Sequence, residues 1–197
     1  ELLDRVLKTF SLADPRALAL VKACNADLGF PVPPDGSWLD DPSFSAVKRN
    51  NLRLYYARWL AQHAFYDEVL KALAELSPVD VVDPAGLLFY RAIAHQQLVQ
   101  PEESRAALVE LLEQEDALPQ RFRKVAKLLE RDLVGLKDES LDHVARRMND
   151  VRRRLDIGLA GKQVEVVEKG VLDSLDRIIK KLESQQQQRS GLGGGGQ

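Results

Sequence analysis

The chain can be laid over itself at an offset of 35 positions. Within residues 52–76, nine of 25 positions are then identical: Leu52 with Leu87, Tyr55 with Tyr90, Ala57 with Ala92, Gln62 with Gln97, Glu68 with Glu103, Ala72 with Ala107, Leu73 with Leu108, Glu75 with Glu110 and Leu76 with Leu111. Composition alone gives about one or two coincidences in such a window. A period near 34 is that of arrays of helix pairs, in which no pair buries its apolar face alone. The segment AFYDEVLKALAEL, residues 64–76, therefore reads as the second helix of such a pair. Its own first helix and the helices of the next copy are expected to cover it.

Three Asp-Pro pairs punctuate the first half: Asp14-Pro15, Asp41-Pro42 and Asp83-Pro84. Each sets an N-cap acceptor before a proline whose fixed φ suits the first helical position and whose missing N–H costs nothing there. Each predicts a helix start. With the apolar periodicity, helices are expected at about 2–11, 15–28, 42–63, 66–77, 84–98, 102–115, 119–136, 139–158 and 162–186. No stretch alternates with period two and β-branched residues, so no sheet is expected.

Within residues 50–116 the repeated segment resembles the tetratricopeptide repeat. Ala57 and Ala92 stand where that family has its small first-helix residue, and Leu73 and Leu108 stand at its large second-helix position. AFYDEV and VQPEES match its short turn. Val69 departs from the family's preference for Ala, Pro78 falls early for its terminal proline, and no third copy is detectable. The resemblance implies an all-α, α-α superhelix whose first helices line a concave binding face. Two pairs are few for such an array, so flanking helices are expected to cap it. The stripe Phe122, Val125, Ala126, Leu129, Leu133 and Leu136 suits one cap. On the other side FPVPPDG, residues 30–36, reads as a loop that places Trp38 to plug a groove.

The C-terminal third differs in character. Leu141, Val144, Ala145, Met148, Val151, Leu155 and Leu159 form one stripe, opposite Arg146, Arg147, Arg153 and Arg154. After Gly158 and Gly161 a second stripe runs through Val164, Val167, Val171, Leu175, Ile178 and Leu182, broadened by Leu172 and Ile179. An antiparallel helical hairpin follows, with a near-heptad seam. The pair, followed by QQQQ and GLGGGGQ, resembles a module found before Gln/Gly-rich linkers in uncharacterised bacterial proteins, which implies no activity. The expected organisation is a repeat domain with caps over 1–136, the hairpin over 137–186 and a low-complexity linker over 187–197, leading to a further domain.

The 28 basic and 30 acidic residues nearly cancel, so no net field draws the chain to nucleic acid or an anionic surface. Apolar runs are too short to cross a bilayer. The single Cys24 excludes an internal disulfide framework. A start on Glu1 leaves room for an upstream segment, a signal peptide included, so the compartment stays open.

No catalytic constellation is expected. His63, His95 and His143 fall in three different helices, and no HExxH, Cys/His cluster or phosphate-binding Gly loop is present. His63 with Asp67 reads as local hydrogen bonding, and Cys24 as an inert, buried thiol. In ARRMNDVRRRLD, Asp142 to Arg146 and Asp150 to Arg154 have the favourable acid-first order, predicting a neutralised solvent face rather than a phosphate site. No cofactor or metal is expected. Tyr55 and Tyr90, equivalent in the repeat, read as core; Arg53, Tyr56, Arg58 and Arg91 are the candidate partner-binding residues on an exposed concave face. The expected function is a non-enzymatic scaffold for a protein or peptide partner. The alternatives are a structural module that forms homo-oligomers through the C-terminal helices, and an enzyme with an interhelical site.

Overall fold

A computed structural model describes residues 2–26, 31–137 and 140–192, with side chains as far as Gln187. Among the described residues the chain is all-α, without a strand. It divides into two compact units, Glu1–Leu133 and Val134–Gln197.

The N-terminal unit begins with α1 (Leu2–Ala13) and α2 (Pro15–Asn25), which pack on each other and on α3 (Ala46–Gln62). Leu3 and Leu7, one turn apart on α1, bury against them. The expected cap operates at α2, where the Asp14 carboxylate accepts from Arg16 N at 2.7 Å. It operates again at α5 (Pro84–Gln97), where Asp83 accepts from Gly86 N at 2.9 Å. At Asp41-Pro42 it does not. Asp41 turns its carboxylate onto Ser43 N at 2.9 Å and Arg16 Nη1 at 3.1 Å, and α3 starts four residues after Pro42, with Ser45 as its N-cap. An Asx turn competes with a helix cap for the same carboxylate, and here the turn wins. The loop residue that enters the core is Leu39; Trp38 lies half-buried beside Phe44, ring centroids 5.4 Å apart.

α3 is buried over most of its surface, through Leu52, Leu54, Tyr55, Ala57, Trp59 and Leu60 with Asn51, and α5 likewise through Leu87, Leu88, Phe89, Tyr90, Ala92 and Ala94. Helices of that kind occupy the centre of a domain. They pack on each other and are flanked by α4 (Tyr66–Leu73) and α6 (Pro101–Leu112). α4 stops at Leu73, short of the expected end at 77.

The α3–α4 and α5–α6 turns are equivalent at the offset of 35. Phe65 N donates to Leu60 O at 2.9 Å, and Gln100 N to His95 O at 2.9 Å. Ala64 N reaches Ala61 O at 3.3 Å, and Val99 N reaches Gln96 O at 3.1 Å. This is the paired bonding that closes a helix on a left-handed residue. Ala64 (φ 64°) and Val99 (φ 57°) hold that conformation without being glycine. Ala57 and Ala92 are both fully buried. At the second pair Ser104 Oγ donates to Ala92 O at 2.9 Å, so α5 and α6 approach closely.

α7 (Gln120–Val134) docks through Phe122, whose ring stacks on Phe89 at 4.2 Å and meets Tyr90 edge-on at 6.4 Å. Phe122, Ala126 and Leu133 of the expected stripe are buried, whereas Val125 is exposed and Leu129 half-exposed.

In the C-terminal unit, α8 (Leu141–Asp156) and α9 (Lys162–Leu192) pack on each other and, joined by five residues, run antiparallel. Ser140 caps α8 through His143 N at 3.1 Å. Gly158, at φ 78°, closes its end with the same bonding as the two earlier turns: Leu159 N to Arg154 O at 2.8 Å and Gly158 N to Leu155 O at 3.0 Å.

Two expectations for this unit are corrected. The face of α8 that packs on α9 carries His143, Val144, Asp150, Val151 and Arg154, while Leu141, Met148 and Leu155 are exposed. The run of arginines is thus not simply a solvent face, because Arg154 is buried and bonded to Asp150 at 2.8 Å. α9 also continues past 186 through the glutamines to Leu192, since Gln has good helix propensity. Residues 193–197 of the expected linker lie outside the described residues.

Candidate functional site

A depression in the N-terminal unit follows from how its first three helices meet. Residues of α1, α2 and α3 converge there with Arg121 from the first turn of α7, around a groove of about 510 Å³. Asp4, Asn25, Tyr55, Arg58, Gln62 and Arg121 are among its walls. A second depression of about 340 Å³ shares Asp4, Asn25, Tyr55 and Arg58 and continues along α1 past Leu7 and Ser11. The two together make one elongated surface.

Its polar groups are tied into a fixed arrangement. Arg58 Nη2 donates to Asp4 Oδ1 at 2.6 Å, and its guanidinium lies over the Tyr55 ring at 5.0 Å. Asn25 Nδ2 donates to Val21 O at 2.7 Å and reaches the Tyr55 hydroxyl at 3.3 Å. Burial raises the Asp4 carboxyl, but the hydrogen bond and charge of Arg58 lead the opposing influences and leave it below its ordinary value. Burial pushes the Cys24 thiol up to about 12, despite the nearby Arg58. A thiol so placed is protonated at neutral pH and is a poor nucleophile. Trp59, stacked on His63 at 4.0 Å, forms the apolar end of the groove. His63 Nδ1 sits 2.8 Å from Trp59 O, and since a carbonyl only accepts, that nitrogen carries the proton.

The four candidate residues do not share one surface. Arg58 lies in the groove. Arg53 and Tyr56 line a separate pocket of about 260 Å³ with Leu39, Asp40 and Lys71. There Arg53 is clasped by Asp40 and by Glu75, the latter at 3.2 Å, with 14% of its side chain exposed. Tyr56 donates to Pro34 O at 2.8 Å, and its ring lies against Gly36 so closely that a Cβ there would stand 2.8 Å from it. Burial pushes the Tyr56 hydroxyl up to about 12. Arg91 lines neither; it donates to Leu73 O at 2.8 Å and Leu76 O at 2.7 Å and so caps the end of α4. All four were expected on an exposed face, and all four are half-buried and engaged. Asn25, Gln62 and Arg121, which the sequence did not single out, do line the groove. Their only sequence signal was a polar residue near a helix end, and that is too common to select them.

Chemically, the groove offers hydrogen-bond donors, two guanidinium groups, one carboxylate and aromatic faces. Among the described residues no three His, Cys, Asp or Glu side chains are placed to hold a metal ion. No helix of the described residues is long and apolar enough to cross a membrane. Comparison with protein-family models, with curated proteins and with solved structures gave no match.

Proposed function

We propose that the N-terminal unit is a tetratricopeptide-like, non-enzymatic scaffold that holds an extended protein or peptide segment in the groove between α1, α2 and α3. The observation that carries this reading is the groove itself: two adjoining depressions that share Asp4, Asn25, Tyr55 and Arg58 and are elongated along the helices. An extended chain presents amides and side chains at regular intervals, and a long wall of fixed donors, acceptors and ring faces suits it. The pre-formed Arg58–Asp4–Tyr55 arrangement lowers the ordering cost of binding. The equivalent turns at Ala64 and Val99 support the repeat reading. The protonated Cys24 thiol favours binding over nucleophilic chemistry.

The test is selection of a displayed random-peptide library on the full chain, followed by titration of the enriched peptides. Gln62→Ala with Arg121→Ala should weaken binding tenfold or more and leave the thermal melt unchanged. Peptides that bind the double variant as well as the parent, or no enrichment at all, would remove the groove as a peptide site.

A further inference from the structure

The C-terminal hairpin carries more apolar surface than its own seam uses. Leu141, Met148 and Leu155 on α8, and Leu172 and Ile179 on α9, are between 49% and 67% exposed. They are not scattered. The three on α8 are spaced by seven, and with Ala145 and Arg152 between them they form a second three-four row beside the row of Val144, Val151 and Arg154, which are buried, and Arg147, which is half-buried. α9 likewise has an inner row, Val164, Val171 and Ser174 buried with Val167 and Ile178 half-buried, and a second row, Glu165, Glu168, Leu172, Leu175, Ile179 and Leu182. A helix with two such rows packs on two neighbours.

The hand of the helix decides where the second rows point. At roughly 100° per residue, each second row lies about a quarter turn beyond its inner row in the sense of chain advance. The two helices run in opposite directions, so the same sense of rotation about opposed axes brings both rows to the same side. The hairpin therefore presents one apolar face made by both helices, half of a four-helix bundle.

We propose that this face is covered by the hairpin of a second copy of the chain, with α8 of each copy lying antiparallel against α9 of the other. The charges select this partner and this pairing. Arg152, 80% exposed and 3.7 Å from the exposed Asp156 one turn on, interrupts the apolar row of α8 near the turn. Glu165 and Glu168, both exposed, interrupt the row of α9 at the same end. A two-fold axis along the bundle keeps every residue at its own height and sets Arg152 of each copy between the second copy's Glu165 and Glu168. The other possible two-fold, across the helices, sets α8 on α8 and opposes the arginine-rich helix to itself. An isologous contact repeats each favourable pair twice. α9 has 31 residues against 16 in α8. In the proposed pairing the two overhanging ends of α9 leave the bundle in the same direction, which brings the exposed Leu182 of each copy to the same end. The proposal does not depend on the peptide groove.

Sedimentation equilibrium of the full chain over a range of concentrations tests it, with far-UV circular dichroism as the check on folding. The parent should sediment as twice the 22.1 kDa chain. Met148→Glu with Leu172→Glu should give a monomer of unchanged helicity. Arg152→Glu should weaken the dimer tenfold or more, and mixing that variant with Glu165→Arg/Glu168→Arg should restore a heterodimer. A monomeric parent at every concentration would overturn the proposal. So would a dimer indifferent to the Met148 and Leu172 changes, or a Met148/Leu172 variant that loses its helicity, which would put the face inside the monomer. Failure of the charge-swapped pair to restore association would overturn the pairing of α8 with α9.

Discussion

The two units of this protein distribute polar and apolar groups in opposite ways. In the N-terminal unit, apolar side chains fill the interior of α3 and α5, and buried polar groups serve the backbone: Arg91 caps α4, Ser104 bonds Ala92 O, and Asn51 accepts from Val82 N at 2.9 Å. In the C-terminal hairpin the buried seam includes an ion pair, Asp150 with Arg154, while a row of leucine, methionine and isoleucine faces outward. A buried ion pair contributes little net stability, because desolvation offsets attraction. The N-terminal unit exposes large apolar side chains too, among them Leu12, Val79 and Leu128, but the hairpin sets its exposed ones in repeating rows beside an ionic seam. Helix pairing alone is therefore no guide to whether a unit is self-sufficient; what each face buries is.

Both tryptophans, Trp38 and Trp59, belong to the N-terminal unit, so fluorescence follows that unit while circular dichroism follows both. The largest effect is expected at the hairpin seam. Asp150→Ala leaves a buried guanidinium without that carboxylate and should cost about 3–5 kcal/mol. It should appear in the dichroism-detected urea transition and leave the fluorescence transition in place. Leu52→Ala and Leu87→Ala, both fully buried at equivalent positions, should each cost about 2–5 kcal/mol and shift the fluorescence transition. Unequal losses would show that the equivalence of α3 and α5 ends at geometry. Arg91→Met removes two charge-assisted bonds to α4 and should cost about 1.5–3 kcal/mol. Preserved stability in that variant would show that these two bonds do not hold the end of α4.

The all-α character was legible because the apolar period and two of the Asp-Pro caps act locally. The offset of 35 was legible too, and it located the equivalent turns without explaining them, because Ala64 and Val99 carry none of the glycine signature of a left-handed helix end. The seam of α8 was misread for a different reason. A hydrophobic stripe marks where apolar residues lie, and in α8 its centre is displaced from the partner helix toward solvent, with Asp150 and Arg154 taking the vacated positions. The candidate site was least legible. Arg53, Tyr56 and Arg91 looked available because their partners, Asp40, Pro34 O and Leu73 O, sit 13 to 22 residues away in sequence and only the fold brings them near.

Two smaller effects sharpen the comparison. The hydrogen bond from Lys48 leads the influences that hold the Asp14 carboxyl below its ordinary value, so its contribution is present above the unfolded-state pKa and is lost as pH falls through the folded one. The fluorescence-detected melting temperature should fall on acidification, and Asp14→Asn, which keeps a capping side chain, should flatten that acid limb. Ala64→Gly relieves a left-handed alanine, and against the added chain entropy of glycine it should stabilise by about 0.5–1 kcal/mol in urea. The hairpin has its glycine in place at Gly158, so Gly158→Ala should destabilise by a similar amount.

The central claim is that one unit is complete in itself while the other is completed by a second copy. Amide hydrogen exchange of the full chain at low and high protein concentration measures this residue by residue. Protection in α3 to α6 should not change with concentration, while protection in α8 and in α9 as far as Leu182 should rise with it. Equal protection of both units at every concentration would contradict the account.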